Sequence, residues 1–251
     1  MKTLAVFVAA LMTTGCIISI DPDGINNNDF DAFDSQFDAL PGDLTDLTVI
    51  VPAGDFNIST GDDLGIDAEL SWVSDSGRPQ LDVTAAGGSV THRWSCPGRD
   101  GCQVDLVVTV PEGMENITID LEAGDFNAAD LSGRLVLDLE AGDIEIDGHN
   151  GELAVETEAG NIDATDLESD DVDARSEAGN VDLELLVRPT AINATTSAGN
   201  IDVSVPAGAY ALDLNSNIGN VDIDNGIDDD PNADASIRAR TEAGQIRIDA
   251  N

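Results

Sequence analysis

The feature that most constrains this sequence is a short motif that recurs along its second half. The motif is Ala-Gly followed by Asp or Asn and then an apolar residue, as in Ala141-Gly-Asp-Ile144. Its glycines are separated by 18, 18, 19, 20, 20 and 25 residues; they are Gly124, Gly142, Gly160, Gly179, Gly199, Gly219 and Gly244. A period in this range is typical of stacked repeats, in which each unit buries its apolar face against its neighbours. An isolated copy, Ala53-Gly-Asp-Phe56, precedes the regular array.

Apolar and polar residues alternate on both sides of each glycine. Apolar residues stand two and four positions after it, as Ile162 and Ala164 do after Gly160. A period of two predicts two short strands per repeat, joined at the glycine, with one face buried. Three positions before the glycine, the inward residue changes from Leu121 and Leu139 to Ser or Thr in later copies. Since Gly, Asn and Asp tolerate positive φ, we attribute the composition of the turn to its backbone conformation.

These patterns predict an all-β chain without helices. Residues 112–251 are expected to form a parallel β-solenoid-like stack of 18–20-residue repeats. Residues 43–111 also alternate, for example in Leu47–Val51 and Val104–Val110, and are expected to form an N-terminal β region. The alternative is a pair of stacked sheets whose strands bend at glycine, and the handedness of the solenoid stays open.

The N-terminus has the order of an export signal. Lys2 precedes a short apolar run, and small residues precede Cys16. The segment from Thr13 to Cys16 resembles the lipobox of bacterial lipoproteins, except that Thr13 replaces the usual leucine. The resemblance implies that residues 1–15 are removed and that Cys16 carries a lipid. A plain secretory signal with an incidental cysteine is the alternative.

The residue after Cys16 and the acidic segment that follows bear on localisation. Ile17 is not the aspartate that often retains lipoproteins in the inner membrane, so we expect anchoring at the outer membrane or the cell surface. Residues 16–42 are rich in Asp and Asn, which predicts an acidic flexible tether between the lipid and the folded part.

Two other cysteines, Cys96 and Cys102, flank a turn-forming segment. Because an exported protein meets an oxidising compartment, they are predicted to form a disulfide. The only nearby metal ligand is His92, which we interpret as a surface residue, so a metal site is not favoured. The other histidine, His149, is interpreted as a turn residue.

The mature chain is strongly acidic. Residues 16–251 contain nine arginines and 50 carboxylates, a formal charge of 9 − 50 = −41. Nucleic acid is therefore excluded as a partner. Three residues after successive glycines the repeats place a row of carboxylates, which we call the carboxylate row: Glu145, Asp163, Asp182, Asp202 and Asp222. Stacking in register would align these groups, and weak Ca²⁺ binding is one hypothesis for such an alignment. Solubility in a salty habitat is the other. No other cofactor is expected.

The segment Val108–Gly113, followed by a strand and the Ala-Gly-Asp-Ile copies, resembles a bacterial family known as putative adhesins. This family has a domain of unknown function and includes a component of a cell-envelope stress system. The resemblance implies an exported or membrane-anchored protein and supplies no catalytic residues.

The sequence shows no phosphate-binding loop and no zinc motif, and its two histidines suit no catalytic triad. We therefore expect no enzyme but a cell-envelope lipoprotein whose acidic β-repeat domain serves adhesion or binds a surface or envelope protein. An envelope-stress accessory that binds cations or protein is the alternative. A β-helix enzyme acting on polysaccharides is less favoured, because aromatic and cationic residues are scarce.

Overall fold

The computed structural model describes residues 17–18, 30–38, 44–72, 79–96 and 102–251. The described residues form strands and turns, and none of them belongs to a helix that could cross a membrane. The strands up to residue 111 are β1 (Ile17–Ile18), β2 (Phe30–Asp38), β3 (Asp46–Val51), β4 (Phe56–Gly61), β5 (Gly65–Trp72), β6 (Gln80–Ala86), β7 (Ser89–Ser95) and β8 (Cys102–Pro111).

The repeats supply the remaining strands, two in most copies. These are β9 (Asn116–Ala123), β10 (Phe126–Ala129), β11 (Arg134–Ala141), β12 (Ile144–Asp147), β13 (Leu153–Ala159), β14 (Ile162–Leu167), β15 (Asp171–Ala178), β16 (Val181–Leu185), β17 (Ala191–Ala198), β18 (Ile201–Val205), β19 (Gly208–Ile218), β20 (Val221–Ile223), β21 (Ile227–Asp229), β22 (Ser236–Ala243) and β23 (Ile246–Ala250).

The strands form two sheets. We call the 11-stranded sheet, with the order β21-β19-β22-β17-β15-β13-β11-β9-β3-β7-β6, sheet 1, and the 12-stranded sheet, with the order β1-β2-β5-β8-β4-β10-β12-β14-β16-β18-β23-β20, sheet 2. Each repeat, which we call a rung, contributes its first strand to sheet 1 and its second strand to sheet 2. Neighbouring rungs pair in parallel, which confirms the predicted all-β, solenoid-like stack.

The core lies between the sheets because the inward positions of both strands are apolar. Ile162 is fully buried, with Ile144 and Val181 as its register partners on the two neighbouring strands. The predicted inward positions of the inner rungs are buried, whereas Val221 and Ile223 of the terminal rung are exposed. Burial of such apolar side chains against those of the neighbouring rungs supplies the main driving force for stacking.

The stack begins earlier than the predicted boundary at residue 112. The isolated copy at Gly54 belongs to a complete rung, since β3 pairs with β9 and β4 pairs with β10, both in parallel. Phe56 stacks on Phe126 with ring centroids 5.6 Å apart. Strands β7 and β8 then add a further rung on the other side of β3 and β4. The described residues of the range 44–111 therefore form one end of the stack.

The order of the last two rungs differs from their order along the chain. Strands β22 and β23 pair with β17 and β18, so the final repeat lies directly on the rung of residues 191–205. The repeat of residues 208–223 pairs with the outer side of β22 and β23 and forms the terminal rung. Because stacking had been inferred from chain order, this exchange was not predicted.

Two strands lie within the segment predicted to be a tether, residues 16–42. Strand β2 pairs with β5 in antiparallel fashion from Phe30↔Ser71 to Gln36↔Gly65, and β1 pairs with β2. These pairings contradict the prediction that the whole of residues 16–42 is a flexible tether. The predicted signal segment, residues 1–15, and Cys16 lie outside the described residues.

Candidate functional site

The carboxylate row lies on the outer face of sheet 2. Glu145 is the register partner of Asp163, Asp163 of Asp182, and Asp182 of Asp202. Asp222 is separated from the rest, because the exchanged rung order places Arg247 between Asp202 and Asp222. The predicted row of five neighbouring carboxylates is thus corrected to a run of four that ends at an arginine.

Within the row, the carboxyl group of Asp182 has a raised pKa. Partial burial is the main cause that raises the pKa of the Asp182 carboxyl, and the charges of Asp202 and Asp163 raise it further. At the end of the row, Arg247 Nη1 lies 3.5 Å from Asp202 Oδ1. The arginine therefore partly neutralises one end, while the middle carries crowded like charges.

No group of three or more His, Cys, Asp or Glu side chains in the described ranges is arranged to hold a metal ion. Successive carboxylates in the row come from neighbouring strands of sheet 2, one from each rung. The arrangement suits loosely held counter-ions rather than one chelated ion.

A second file of carboxylates follows the outer face of sheet 1, two positions before the glycines, and all its members are exposed: Glu122, Glu140, Glu158 and Glu177. Together with the carboxylate row, it makes both broad faces of the stack acidic.

The Asp or Asn after most of the motif glycines has a role that differs from the predicted one. Its side-chain oxygen accepts a hydrogen bond from the backbone N–H of the equivalent residue in the next rung, at 2.7–3.2 Å. In the described part of the chain, the non-glycine residues with positive φ are Asp130 and Asp166, neither of which follows a repeat glycine. The Asp and Asn of the turn are therefore explained by an acceptor ladder, whereas Gly124, Gly142, Gly160 and Gly219 have the positive φ that was predicted for the turn.

The hydroxyl residues three positions before the glycines form a second row of side-chain hydrogen bonds between rungs. Thr157, Ser176, Thr196, Thr241 and Ser216 each donate a hydrogen bond to the glycine carbonyl of the adjacent rung, at 2.8–3.4 Å. The change from leucine to hydroxyl residues thus adds side-chain hydrogen bonds between the later rungs.

The predicted disulfide is present. Cys96 and Cys102 are bonded, with their Cα atoms 5.8 Å apart, and they close the connection between β7 and β8. The bond lies in the outermost of the rungs at its end of the stack, where it joins the two strands of that rung.

Both histidines are buried, which contradicts the prediction that His92 is a surface residue. Burial lowers the pKa of the His92 imidazole to about 4. His149 lies in a turn, as predicted, and its Nε2 is 3.3 Å from the Glu152 carbonyl oxygen. Burial is also the main cause that lowers the pKa of His149. At neutral pH both rings are therefore uncharged parts of the core.

Sequence reasoning missed a group of arginines on the outer face of sheet 1. Arg175 and Arg240 both stand four residues before a repeat glycine, and they line a shallow groove with Thr195 and Asn215. Arg240 Nη2 lies 2.7 Å from Asp213 Oδ2, and Arg238 also pairs with Asp213. The spacing from glycine could have placed these residues on one face, but their adjacency depends on the exchanged rung order.

This chain resembles proteins of known structure in its fold. Comparison with curated protein sequences gives no match. A Bacteroides fragilis structure, described as a "putative adhesin", is 14% identical with a TM-score of 0.53; the match covers 87% of this chain and 96% of that one. A "putative cell adhesion protein" from Clostridium sporogenes is 15% identical with a TM-score of 0.45, and the match covers 88% and 100% of the two chains.

The Bacteroides fragilis structure shares the fold at an identity too low to transfer a function. The family evidence is broader, because one family model spans nearly all the residues that build the two sheets. The Toastrack DUF4097 model matches residues 33–251, and the chain therefore belongs to that family.

Proposed function

We propose that this protein is a non-catalytic component of the cell envelope that presents its acidic β-repeat stack for adhesion or for binding a surface or envelope protein. The observation that carries the proposal is the stack itself, whose two broad faces consist of side chains repeated in register from rung to rung. Such faces offer an extended contact area, which solenoid proteins commonly use to bind partners. The description of the Bacteroides fragilis relative as a putative adhesin agrees with this role.

A catalytic role is disfavoured by the placement of the residues that acid–base chemistry needs. His92 and His149 are buried in the core, so neither ring can reach a substrate on the surface. A general acid among the carboxylates would need a raised pKa beside a cleft. Among the described residues, the carboxyl group whose pKa is raised is that of Asp182, which lies on the outer face of sheet 2 between like charges.

Lipid anchoring through Cys16 is part of the same proposal and rests on the resemblance of residues 13–16 to a lipobox. The anchor is tested by membrane fractionation of cells that express the wild type or the Cys16→Ala variant. Wild-type chain is expected with the outer membrane, and the variant is expected to leave the membrane fraction. A variant that partitions with membranes like the wild type would rule out the lipid anchor.

Adhesion is tested by deleting the gene and measuring attachment of the cells to surfaces and to other cells. Complementation should use the wild type and a variant in which Glu140, Glu158 and Glu177 are replaced by Gln. Because these side chains are exposed, the variant should fold normally while the face of sheet 1 changes its charge. Loss of attachment on deletion, restored by the wild type, supports the proposal. Unchanged attachment on deletion contradicts adhesion and leaves partner binding to be sought by cross-linking in the envelope.

A second candidate is an envelope-stress accessory that acts by binding cations, and Asp182 is the observation that favours it. A carboxyl with a raised pKa between two like charges gains most from a nearby counter-ion. A neighbouring gene for an envelope-stress regulator would favour this candidate over adhesion.

A further inference from the structure

The shallow groove on the outer face of sheet 1, which we call the arginine groove, lies over β17. Thr195 of β17 is the register partner of Arg175 in β15 on one side and of Arg240 in β22 on the other. The two flanking strands are about 9–10 Å apart, so long side chains stand on both sides of a floor of short ones. Together with Asn215 of β19 they line a volume of about 350 Å³, at the lower end of the range for small-molecule sites.

The lining of the arginine groove is polar and balanced in charge. Every residue that lines it is polar, and those without a charge are Ser, Thr and Asn. Strand β17, which forms the floor, contributes no charged residue in an otherwise strongly acidic chain. The charged lining residues are two arginines and two glutamates: Arg175, Arg240, Glu177 and Glu242. The groove therefore offers hydrogen-bond donors and acceptors without a net charge of its own.

The two arginines are held in place and keep free donors. Arg175 Nε lies 3.3 Å from Thr195 Oγ1, and its Nη1 lies 3.4 Å from Glu156 Oε2. Arg240 Nη2 lies 2.7 Å from Asp213 Oδ2. The two side chains remain 46% and 52% exposed, and each guanidinium has five N–H donors, so some of them stay available to a ligand. Because the neighbouring carboxylates already balance the guanidinium charges, the groove has no excess positive charge to hold an anion.

We infer that the arginine groove binds a neutral oligosaccharide. Sugar hydroxyls both donate and accept hydrogen bonds, and the lining supplies guanidinium donors, carboxylate acceptors, and hydroxyl and amide groups that do both. A polyanion is repelled by the acidic molecule, and a cation finds less compensated carboxylates on the carboxylate row. An apolar ligand would cover polar groups without satisfying them.

This inference deepens the proposed adhesion and rests on it for its setting, since it names sugar chains of another surface as the partner. Among the described residues, none that lines the groove is aromatic, so a sugar ring has no platform on which to stack. Binding then depends on hydrogen bonds alone, and we expect a dissociation constant in the millimolar range for a single site. Many copies on one cell would raise the overall avidity without further contacts.

The inference is tested by measuring the binding of the exported full chain, in a non-ionic detergent without sugar groups, to immobilised oligosaccharides. The probes are neutral oligomers of hexoses and N-acetylhexosamines, with uronic-acid oligomers and glucosamine oligomers as the anionic and cationic arms. Arg175→Gln removes a guanidinium from the groove, and Thr195→Gln fills its floor. Each should raise the dissociation constant for the neutral probe by about tenfold, because a hydrogen bond to a charged group or the space for the ligand is lost.

Arg134→Gln is the matched control. Arg134 lies on the same face of sheet 1, is 47% exposed and pairs with a glutamate of a neighbouring rung, as Arg175 does, but it lies outside the groove. This variant should bind the neutral probe like the wild type, and melting curves of all variants check that they fold. The inference is overturned if the wild type binds none of the neutral oligomers at millimolar concentration. It is also overturned if a charged arm binds more tightly, or if Arg134→Gln weakens binding as much as Arg175→Gln.

The gene deletion separates this inference from the adhesion proposal. If deletion abolishes attachment and the Arg175→Gln and Thr195→Gln variants restore it fully, adhesion stands and the groove is not its binding site. If the neutral oligomers bind in the groove while deletion leaves attachment unchanged, the sugar site stands and adhesion is contradicted.

Discussion

At the scale of single residues, the period of two decides which side chains enter the core. Ile162 is fully buried between Ile144 and Val181, and Asp163 beside it is exposed. Ile162→Asp would place a carboxylate in this apolar layer, where an unpaired charge costs several kcal/mol or is neutralised by protonation. We expect the free energy of unfolding to fall by about 3–5 kcal/mol at pH 7, measured by urea denaturation.

The matched control is Asp163→Asn, one position along the same strand. The change removes one like charge from the carboxylate row, so the stability should stay equal or rise slightly. Equal losses of stability in the two variants would show that the inward and outward assignment of β14 is wrong.

The buried imidazole of His92 makes the stability depend on pH. Its pKa in the folded chain is about 4, below the 6.5 of an exposed histidine, so the unfolded chain binds the proton more readily. The stabilisation is complete above pH 6.5, and it is lost as the pH falls from 6.5 towards 4. The shift corresponds to roughly 3 kcal/mol.

Replacing His92 by Phe removes this proton-linked loss while retaining an apolar ring. Between pH 7 and pH 4 the stability of the variant relative to the wild type should rise by roughly 3 kcal/mol, measured by denaturation at each pH. Comparing the two proteins at each pH removes the contribution of the many carboxylates, which both share. A constant difference across this range would show that His92 titrates normally.

At the scale of the repeat, the turn glycines are required by close packing between rungs. A Cβ on Gly179 would lie closer than 3.0 Å to the carbonyl oxygen of Gly160, although the backbone of Gly179 is not in the left-handed region. Gly179→Ala must therefore separate two rungs, and we expect a loss of about 2–4 kcal/mol and a lower melting temperature. Ala178→Ser, at the exposed neighbouring position, should leave the melting temperature unchanged. If Gly179→Ala melts like the wild type, the rungs are less tightly packed at the turn than the structure shows.

The repeat also shows which part of the turn could be predicted. Period and alternation placed the strands, because a buried face requires them. The hydrogen bond from the Asn200 backbone N–H to the Asn180 side chain could not be predicted, because it joins residues 20 positions apart. Tolerance of positive φ accounts equally well for Asn and Asp in a single sequence, and the acceptor role emerges only when rungs are stacked.

At the scale of the whole molecule, the parallel stack and the disulfide were predicted, whereas the order of rungs was not. Each inner rung can accept any other rung of similar pattern, so the sequence contains little information on which two become neighbours. The exchange of residues 208–223 and 236–250 has a physical consequence: Arg247 enters the carboxylate row, and the polar terminal rung with Asn215 and Asn217 moves to the end. The arginine groove follows from this exchange.

Repulsion between neighbouring carboxylates of the carboxylate row depends on the stacking of the rungs, and it gives the row a reason to bind cations. Rungs about 4.8 Å apart give a repulsion of about 0.9 kcal/mol for each neighbouring pair in a water-like dielectric, before screening. The run from Glu145 to Asp202 contains three such pairs. Sodium screening and bound calcium would both relieve this repulsion, but only calcium binding depends on the identity of the ion at fixed ionic strength.

Calcium binding predicts a higher melting temperature when calcium replaces sodium at constant ionic strength. If calcium associates loosely with the row at an apparent dissociation constant of about 1 mM, 10 mM calcium should add about 1.4 kcal/mol, or roughly 3–6 °C. Asp182→Asn removes the central ligand and should abolish the calcium increment while raising the melting temperature in sodium, because its carboxyl has a raised pKa. Glu122→Gln, on the opposite sheet, should retain the increment. Superimposable melting curves of the wild type in calcium and in sodium would leave general screening as the role of the acidic faces.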